Sequence, residues 1–259
     1  MLGAPLPPRA WSMLDRLENF VKDIAALESE ADLAQGLCAI TREMGFSYFA
    51  LTQHVDVRQA PGAGIRIDNY PPLWVDYFDE QRLGPSDPVH RATHVRTAGF
   101  AWSQLPQIIL LTTRDRQILD DAARNGIGDG YTVPTHVPGE SYGSFSLATR
   151  TGETLPREHV ALAQLLGPFA FEAARRLRRE RHGAAPLFQR LTDRQRDCLL
   201  WVARGKSDWE VGRILGVSRE TVTMHLKHAR ERYDVPKRTQ LAIHALFDGT
   251  ISFVDIMRR

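Results

Sequence analysis

Residues 191–233 read LTDRQRDCLLWVARGKSDWEVGRILGVSRETVTMHLKHARERY, a stretch punctuated at the short intervals of compact helices. Thr192 is placed to cap the first, which runs to about Arg204 and stops at Gly205. Ser207 or Asp208 caps the second, with Val211, Ile214 and Leu215 facing inward. Gly216 and Val217 make a tight turn. Ser218 caps the third helix, whose Val222, Leu226, Ala229 and Tyr233 recur at i, i+4, i+7 and i+11. A fourth helix is expected from about Arg238 through Leu241, Ile243, Ala245, Leu246 and Phe247 to Gly249. Two short helices about a Gly-Val turn, the second apolar on one face and polar on the other, define a helix-turn-helix. The polar face of the third helix displays Arg219, Thr223, Lys227 and Arg230, which can reach base edges and phosphates in a major groove. Lys206 and Arg238 lie near helix ends, where phosphate contacts are usual. Spacing alone also admits a plain four-helix bundle with a charged surface.

Charge is distributed in the same sense. Residues 188–259 hold 14 Lys/Arg against 9 Asp/Glu, a net +5, whereas residues 1–187 hold 19 against 22, a net −3. A basic segment beside a mildly acidic body fits a nucleic-acid-binding module on a non-binding partner domain. With 259 residues and 43% hydrophobic content, the chain has room and apolar material for two domains. Cys38 and Cys198 both sit in apolar helical patterns, too few for a disulfide framework or metal site, and read as reduced core thiols of a cytoplasmic protein. No apolar run reaches the ~18 residues of a membrane span. Met1 to Arg9 lacks a cationic start followed by an apolar stretch, so no secretory signal is expected.

Towards the N-terminus, Trp11, Leu14, Leu17, Phe20, Val21, Ile24 and Leu27 recur at helical spacing, and a second helix is expected from Asp32 as N-cap, with Leu33, Leu37, Ile40 and Met44 on one face. Tyr48–Val55 and Ile65–Asn69 read as strands, and Pro71-Pro72 opens a short helix carrying Trp74 and Phe78. Arg114–Asn125 is helical and stops at Gly126; Tyr131–His136 and Tyr142–Arg150 read as strands paired through a turn at Pro138-Gly139. A long helix follows from Pro156 to about His182, with Pro168 expected to kink or break it. Its basic end, Arg175 to Arg181, fits either DNA or a solvated helix terminus. The fold class is α+β: an N-terminal α-β-α sandwich with an antiparallel sheet over residues 1–180, a linker over 181–190, and an all-α four-helix helix-turn-helix domain over 191–259.

The letters of the C-terminal segment carry more than the spacing. Leu191-Thr192-x-Arg194, Trp201, Gly205-Lys206-Ser207, Glu210-Val211, Ile214-Leu215, Val217-Ser218, Thr221-Val222, His225-Leu226 and Ala229-Arg230 closely resemble the LuxR-type DNA-binding module. The resemblance implies DNA binding through the Ser218–Tyr233 helix, with Thr223 and Lys227 at base-reading positions. His228 departs from the asparagine common there and bears on sequence preference.

Upstream, the aromatic cluster Tyr70, Trp74, Tyr77, Phe78 and Trp102 surrounds one acid, Asp87, a composition that suits an apolar cavity with a single oriented acceptor or, equally, a plain core with a capping aspartate. Asn69-Tyr70-Pro71-x-x-Trp74-x-x-x-Phe78-Asp79, Asp87-Pro88, Trp102, Gly126-x-x-x-Gly130-x-x-x-Pro134-x-His136 and Ser146-Leu147 resemble the acyl-homoserine-lactone-binding domain of quorum-sensing LuxR regulators. By that resemblance Asp87 accepts the ligand amide N–H, Trp74 donates to the lactone carbonyl, Tyr70 and Ser146 bond the acyl carbonyl, and Trp102 walls the ring. Phe78 stands where the family usually has tyrosine. Val75 and Val89 replace residues that are polar in some members, which makes the region near the head group greasier. Ile67, Tyr48 and Tyr142 are expected along the acyl tail.

These readings combine into a ligand-responsive transcriptional regulator that binds an N-acyl-homoserine lactone and, as a homodimer, a two-fold symmetric DNA operator, with RNA polymerase as partner if it activates. No cofactor, metal, catalytic residue or membrane partner is expected. A solo regulator that takes another small molecule, or none, is the alternative. A lactone-processing enzyme is disfavoured: it would need a nucleophile–base pair or metal cluster, Gly143-Ser144-Phe145-Ser146 lacks the final glycine of a nucleophile elbow, and His90, His94 and His136 are scattered in the sequence.

Overall fold

The computed structural model describes residues 8–55, 64–138, 140–182 and 191–257. Two compact units emerge, Met1–His136 with Ser141–Gly183, and Ala184–Arg259 with Val137–Glu140. The expected linker falls largely on residues 183–190, and the expected Pro138-Gly139 turn includes Gly139; these residues lie outside those described.

The first unit opens with α1 (Pro8–Ile24) and α2 (Glu30–Glu43). The cap of α2 is Ser29 rather than Asp32: the Ser29 hydroxyl accepts from the Asp32 amide at 3.1 Å and donates to the Asp32 carboxylate at 2.7 Å. Ser29 stands just before the first helical residue, in extended conformation, where its hydroxyl can satisfy an amide of the first turn. Strands β1 (Tyr48–Gln53) and β2 (Arg66–Asp68) follow, then α3 (Pro72–Glu80), α4 (Pro88–Thr93), β3 (Phe100–Ala101), α5 (Leu105–Ile108), α6 (Thr113–Arg124), β4 (Ile127–Pro134) and β5 (Gly143–Arg150). The unit closes on α7 (Val160–His182), which runs through Pro168 without a break. The preceding residue, Gly167, lets the helix approach the sheet closely: a Cβ there would sit 3.0 Å from Val133 Cγ1.

The sheet is antiparallel throughout, in the order β2-β1-β5-β4-β3. Its register sorts side chains by size. Phe49, Leu51, Phe145, Leu147 and Val133 share one face with one another, and α7 packs on it. The opposite face carries Ala50 paired with Ser146, Thr52 with Ser144, Ser146 with Thr132, and Gly130 with Ala148. All of β5 but its last residue is buried, so both faces are covered. The small-residue face looks toward α3, α4 and α6.

Helix α6 is tied to α4 by an ion pair. Asp115, almost wholly buried, accepts from Arg91 at 2.7 Å and from the Thr112 amide and hydroxyl at 2.7 and 2.9 Å. Asp115→Ala strips this acceptor from three donors and should destabilise the first unit by about 2 kcal/mol. Chemical unfolding followed separately in the two units checks this, with the second unit expected to be unchanged.

The second unit is helical: α8 (Asp193–Ala203), α9 (Asp208–Leu215), α10 (Arg219–Arg232), α11 (Arg238–Phe247) and the short α12 (Phe253–Met257), a fifth helix beyond the four expected. Thr192, Ser207 and Ser218 each cap their helix through the amide three residues on. Gly216 adopts φ +69°, the left-handed conformation that turns α9 into α10. The core joins Cys198, Leu199, Val211, Val222, Leu226, Ala229, Leu241 and Ala245. Ile214 departs from its expected inward position: it is 44% exposed, and Leu215 supplies the contact to the core.

Candidate functional site

Small side chains at the centre of one sheet face leave space that the flanking helices do not fill. The result is a cavity of about 420 Å³. Its walls include all seven residues expected around a ligand: Tyr70, Trp74, Phe78, Asp87, Val89, Trp102 and Ser146. Ile67, Tyr48 and Tyr142, expected along the tail, do not line it. The register explains Ile67: its neighbours Arg66 and Asp68 point into the cavity, so Ile67 points to the other face.

Each polar group is set by its own element. Pro72 begins α3 and places Trp74 two residues later, with its ring 5.7 Å from Phe78 and 5.9 Å from Tyr77. Tyr77 anchors this helix by donating to Asp121 of α6 at 2.9 Å. The Tyr70 hydroxyl and the Trp74 indole N–H have no hydrogen-bond partner among the described residues, and both side chains face the cavity. Burial, reinforced by Asp68 and Asp87, raises the Tyr70 hydroxyl well above its ordinary value, so it stays a donor.

Asp87 joins the two roles that its sequence context admits. It caps α4, with Oδ1 accepting from the Val89 amide at 2.8 Å, and it lines the cavity. Its Oδ2 lies 3.6 Å from His90 Nε2. On the sheet side, Trp102 Nε1 donates to Thr132 Oγ1 at 2.8 Å, and Thr132 Oγ1 lies 2.8 Å from Ser146 Oγ. Gly130 makes room for this indole: a Cβ there would sit 2.5 Å from the Trp102 ring. Thr132 was not legible as a site residue from sequence; only the β4–β5 register pairs it with Ser146.

The histidines are the main departure. His90, His94 and His136 are not scattered in space. Together with His54, which the sequence did not single out, they form one cluster. His54 and His90 stack at 3.9 Å with planes 17° apart; His94 lies 5.7 Å from His54 and 6.5 Å from His136. His54 Nε2 is 2.9 Å from Ser144 Oγ, and its Nδ1 is 3.4 Å from His94 Nε2. This serine–histidine pair is a structural contact, since Ser144 is fully buried and does not line the cavity. Burial, with repulsion from His90, His94 and His136, pushes His54 far below its ordinary value, and burial also lowers His94. Such a group is a poor base.

On the second unit, Arg219, Thr223 and Lys227 are exposed along α10, as is His228. Thr223 donates to Asp208 at 2.9 Å, and Arg238 pairs with the same carboxylate at 3.1 Å. Lys206 lies 3.7 Å from Glu210 and Lys227 3.8 Å from Glu231. Arg230 is turned to the Pro236 carbonyl at 2.8 Å, a contact within the fold. The basic end of α7 is likewise engaged internally: Arg176 donates to the carbonyls of Ile24 and Leu27 and pairs with Glu180, and Arg179 pairs with Glu172.

The lowered His54 makes the first unit acid-sensitive. Below about pH 6.5 the unfolded chain binds a proton that folded His54 refuses. Stability is therefore full above that pH and falls as pH drops toward the folded value, by up to about 1.4 kcal/mol per pH unit. Urea unfolding between about pH 5 and about pH 8 measures the slope. His54→Phe should flatten it; an identical slope in the variant would assign the sensitivity to other groups.

Residues 29–174 match the autoinducer binding domain, and residues 189–245 match the bacterial regulatory proteins of the luxR family. Transcriptional activator protein LuxR of Aliivibrio fischeri is 24% identical over 241 residues, covering 92% of this chain and 95% of that protein. The HTH-type quorum sensing-dependent transcriptional regulator RpaR of Rhodopseudomonas palustris is 29% identical over 243 residues, covering 91% and 95%. Both are regulators rather than enzymes. Among solved structures, Escherichia coli SdiA has the same fold, with a TM-score of 0.67 at 21% identity over 91% of this chain and 98% of that one. SdiA in complex with octanoyl-rac-glycerol gives 0.69 at 20% identity over 97% and 99%. With the autoinducer-binding match alone spanning more than half of its length, the chain belongs to the LuxR family of quorum-sensing transcriptional regulators.

Proposed function

We propose that the cavity of the first domain, residues 1–180, takes an N-acyl-homoserine lactone, and that ligand binding controls operator binding by residues 191–259 across a linker at 181–190. One observation supports the reading: two donors without partners among the described residues, Tyr70 and Trp74, converge with the Asp87 acceptor and the Ser146 hydroxyl on one otherwise largely apolar space. A lactone amide offers the complementary set. Asp87 Oδ2 accepts the amide N–H, Trp74 donates to the lactone carbonyl, and Tyr70 and Ser146 bond the acyl carbonyl. Thr132 serves Ser146: when its hydroxyl donates to Ser146 Oγ, the Ser146 proton is free for the ligand. Phe78 and Val89 complete the apolar wall, and Trp102 covers the ring.

In the DNA complex, Thr223 and Lys227 read bases while Arg219, Lys206 and Arg238 contact phosphates. Arg230 belongs with this group only if its bond to Pro236 is released. A homodimer on a two-fold symmetric operator is supported by two apolar stripes left exposed: Leu165 and Phe169 on α7, each 49% exposed, and Ile243 and Phe247 on α11, at 63% and 49%. The protein then works in the cytoplasm, with RNA polymerase as a contact if it activates. A solo regulator responding to another small molecule is the second reading, favoured by the histidines on the cavity wall. Mass spectrometry of the molecule that co-purifies separates the two.

Asp87→Asn is the informative variant. Asparagine is as good an N-cap as aspartate, so α4 is retained while the charged acceptor is lost. A reporter assay should show a dose–response shifted by about 10- to 100-fold, with intrinsic operator affinity kept. An unchanged curve would sink the assignment. Lys227→Ala should weaken operator binding by about 1–3 kcal/mol and relax preference at one base pair, measured by titration of labelled DNA at fixed salt.

A further inference from the structure

Arg219, Thr223 and Lys227 stand at every fourth residue along α10 and are all exposed, so they form one row on the helix. The outer two carry donors only, a guanidinium and an ammonium. Thr223 is the member of the row whose polar atom can either donate or accept. Its part in a major groove therefore depends on where its proton goes.

That proton has two takers inside the fold. The Thr223 hydroxyl donates to Asp208 Oδ2 at 2.9 Å and lies 3.1 Å from the Arg219 carbonyl oxygen. A carboxylate and a carbonyl can only accept, so neither has a proton to give back. Asp208 is the stronger taker, because its acceptor is charged, whereas a carbonyl four residues back already serves the amide ladder of the helix.

Asp208 is also placed to keep the proton. It is the first residue of α9, and its side chain is only 13% exposed. The cap of α9 is Ser207, which accepts from the Glu210 amide, so the Asp208 carboxylate is not spent on its own helix. Its other oxygen holds Arg238 at 3.1 Å. A phosphate that draws Arg238 away leaves the carboxylate to Thr223, so the hydroxyl proton stays inside the fold when DNA is bound.

With its proton held, the hydroxyl offers a groove lone pairs and no donor. Base edges in the major groove present acceptors at purine N7, guanine O6 and thymine O4, and amino donors at adenine N6 and cytosine N4. We propose that Asp208 is a positioning residue for base recognition: it fixes Thr223 as the acceptor in a donor–acceptor–donor row on α10, so that Thr223 takes an exocyclic amino group and rejects the acceptors of the base edge. The proposal rests on the reading of Thr223 as a base contact.

The test selects bound sequences from randomised double-stranded DNA with the full-length protein, in the presence of a mixed panel of homoserine lactones, and then measures affinities at fixed salt. Thr223→Val keeps the shape of the side chain and removes its oxygen; the base pair whose preference it erases is the one Thr223 reads. At that pair, an analogue without the amino group (purine for adenine, pyrimidin-2-one for cytosine) should cost the parent about tenfold more than it costs Thr223→Val. A 7-deazapurine at the same pair should cost both proteins equally. Asp208→Ala should cut the excess cost of amino removal to about twofold. Asp193→Ala, which takes an acid from the same first position of α8, should leave it at the parent's value. The Thr223→Val comparison keeps the test decisive should Asp208→Ala fail to fold. Excess cost on N7 removal in place of amino removal overturns the proposal, as does an amino dependence that Asp208→Ala leaves unchanged or that Asp193→Ala lowers equally. No base pair altered by Thr223→Val overturns the base-contact reading, and the proposal with it.

Discussion

Everything the first unit does depends on one asymmetry of its sheet. The face toward α7 carries phenylalanine, leucine and valine and packs closely. The face toward α3, α4 and α6 carries alanine, serine, threonine and glycine at its centre, so the helices over it cannot close on the strands. The space left is about 420 Å³, lined largely by apolar groups. A ligand that fills it in the folded state alone adds its binding free energy to the stability of the fold around it. Coupling between ligand and folded state needs no separate device.

The helices over the cavity are fastened by polar contacts, and Arg66, Asp79 and Arg91 make theirs within the cavity wall. Tyr77 holds α3 to Asp121 of α6, Arg91 holds α4 to Asp115 of α6, and Arg66 binds both oxygens of Asp79 at 2.7 and 2.8 Å. These contacts fix the roof and leave the Tyr70 hydroxyl and the Trp74 indole N–H without partners among the described residues, while the second oxygen of Asp87 faces His90 at 3.6 Å. Asp87 shows the economy of the arrangement. The same carboxylate that starts α4 lines the cavity, so under the proposed lactone reading one side chain would set both ligand recognition and helix position.

Much of this was legible in the sequence, for physical reasons that also mark where legibility stopped. Caps and stops are local, so Thr192, Ser207, Ser218, Gly126 and Gly216 could be read directly. The stretch from Asn69 to Trp102 held six of the seven expected cavity residues, and Trp74, Phe78, Asp87 and Val89 among them sit on short helices whose starts are fixed by proline or aspartate. Strand parity was the weaker signal. Ile67 and its neighbours in a three-residue strand face opposite ways, and a run that short leaves periodicity undecided. The histidine cluster could not be read at all. Its four members come from the end of β1, from α4 and from beyond β4, and they meet only once the β1–β5–β4 register is set. Pro168 costs α7 a backbone hydrogen bond, and packing of that helix on β4 and β5 holds it continuous, a tertiary effect invisible in the local sequence.

The second unit poses a different problem, since the residues proposed to contact DNA are paired with acids of the same unit. Thr223 and Arg238 share Asp208, Lys206 faces Glu210, and Lys227 faces Glu231. Exposed pairs of this kind are each worth at most about 1 kcal/mol. A phosphate arriving with release of condensed counterions outcompetes them easily. The acids thus lower affinity a little for every sequence, while a correct base contact regains more than it loses. Arg230 is the exception, because its partner is a backbone carbonyl that orients the turn into α11. Moving it to DNA would leave that carbonyl without its donor, so its first duty is to hold the end of the recognition helix in place.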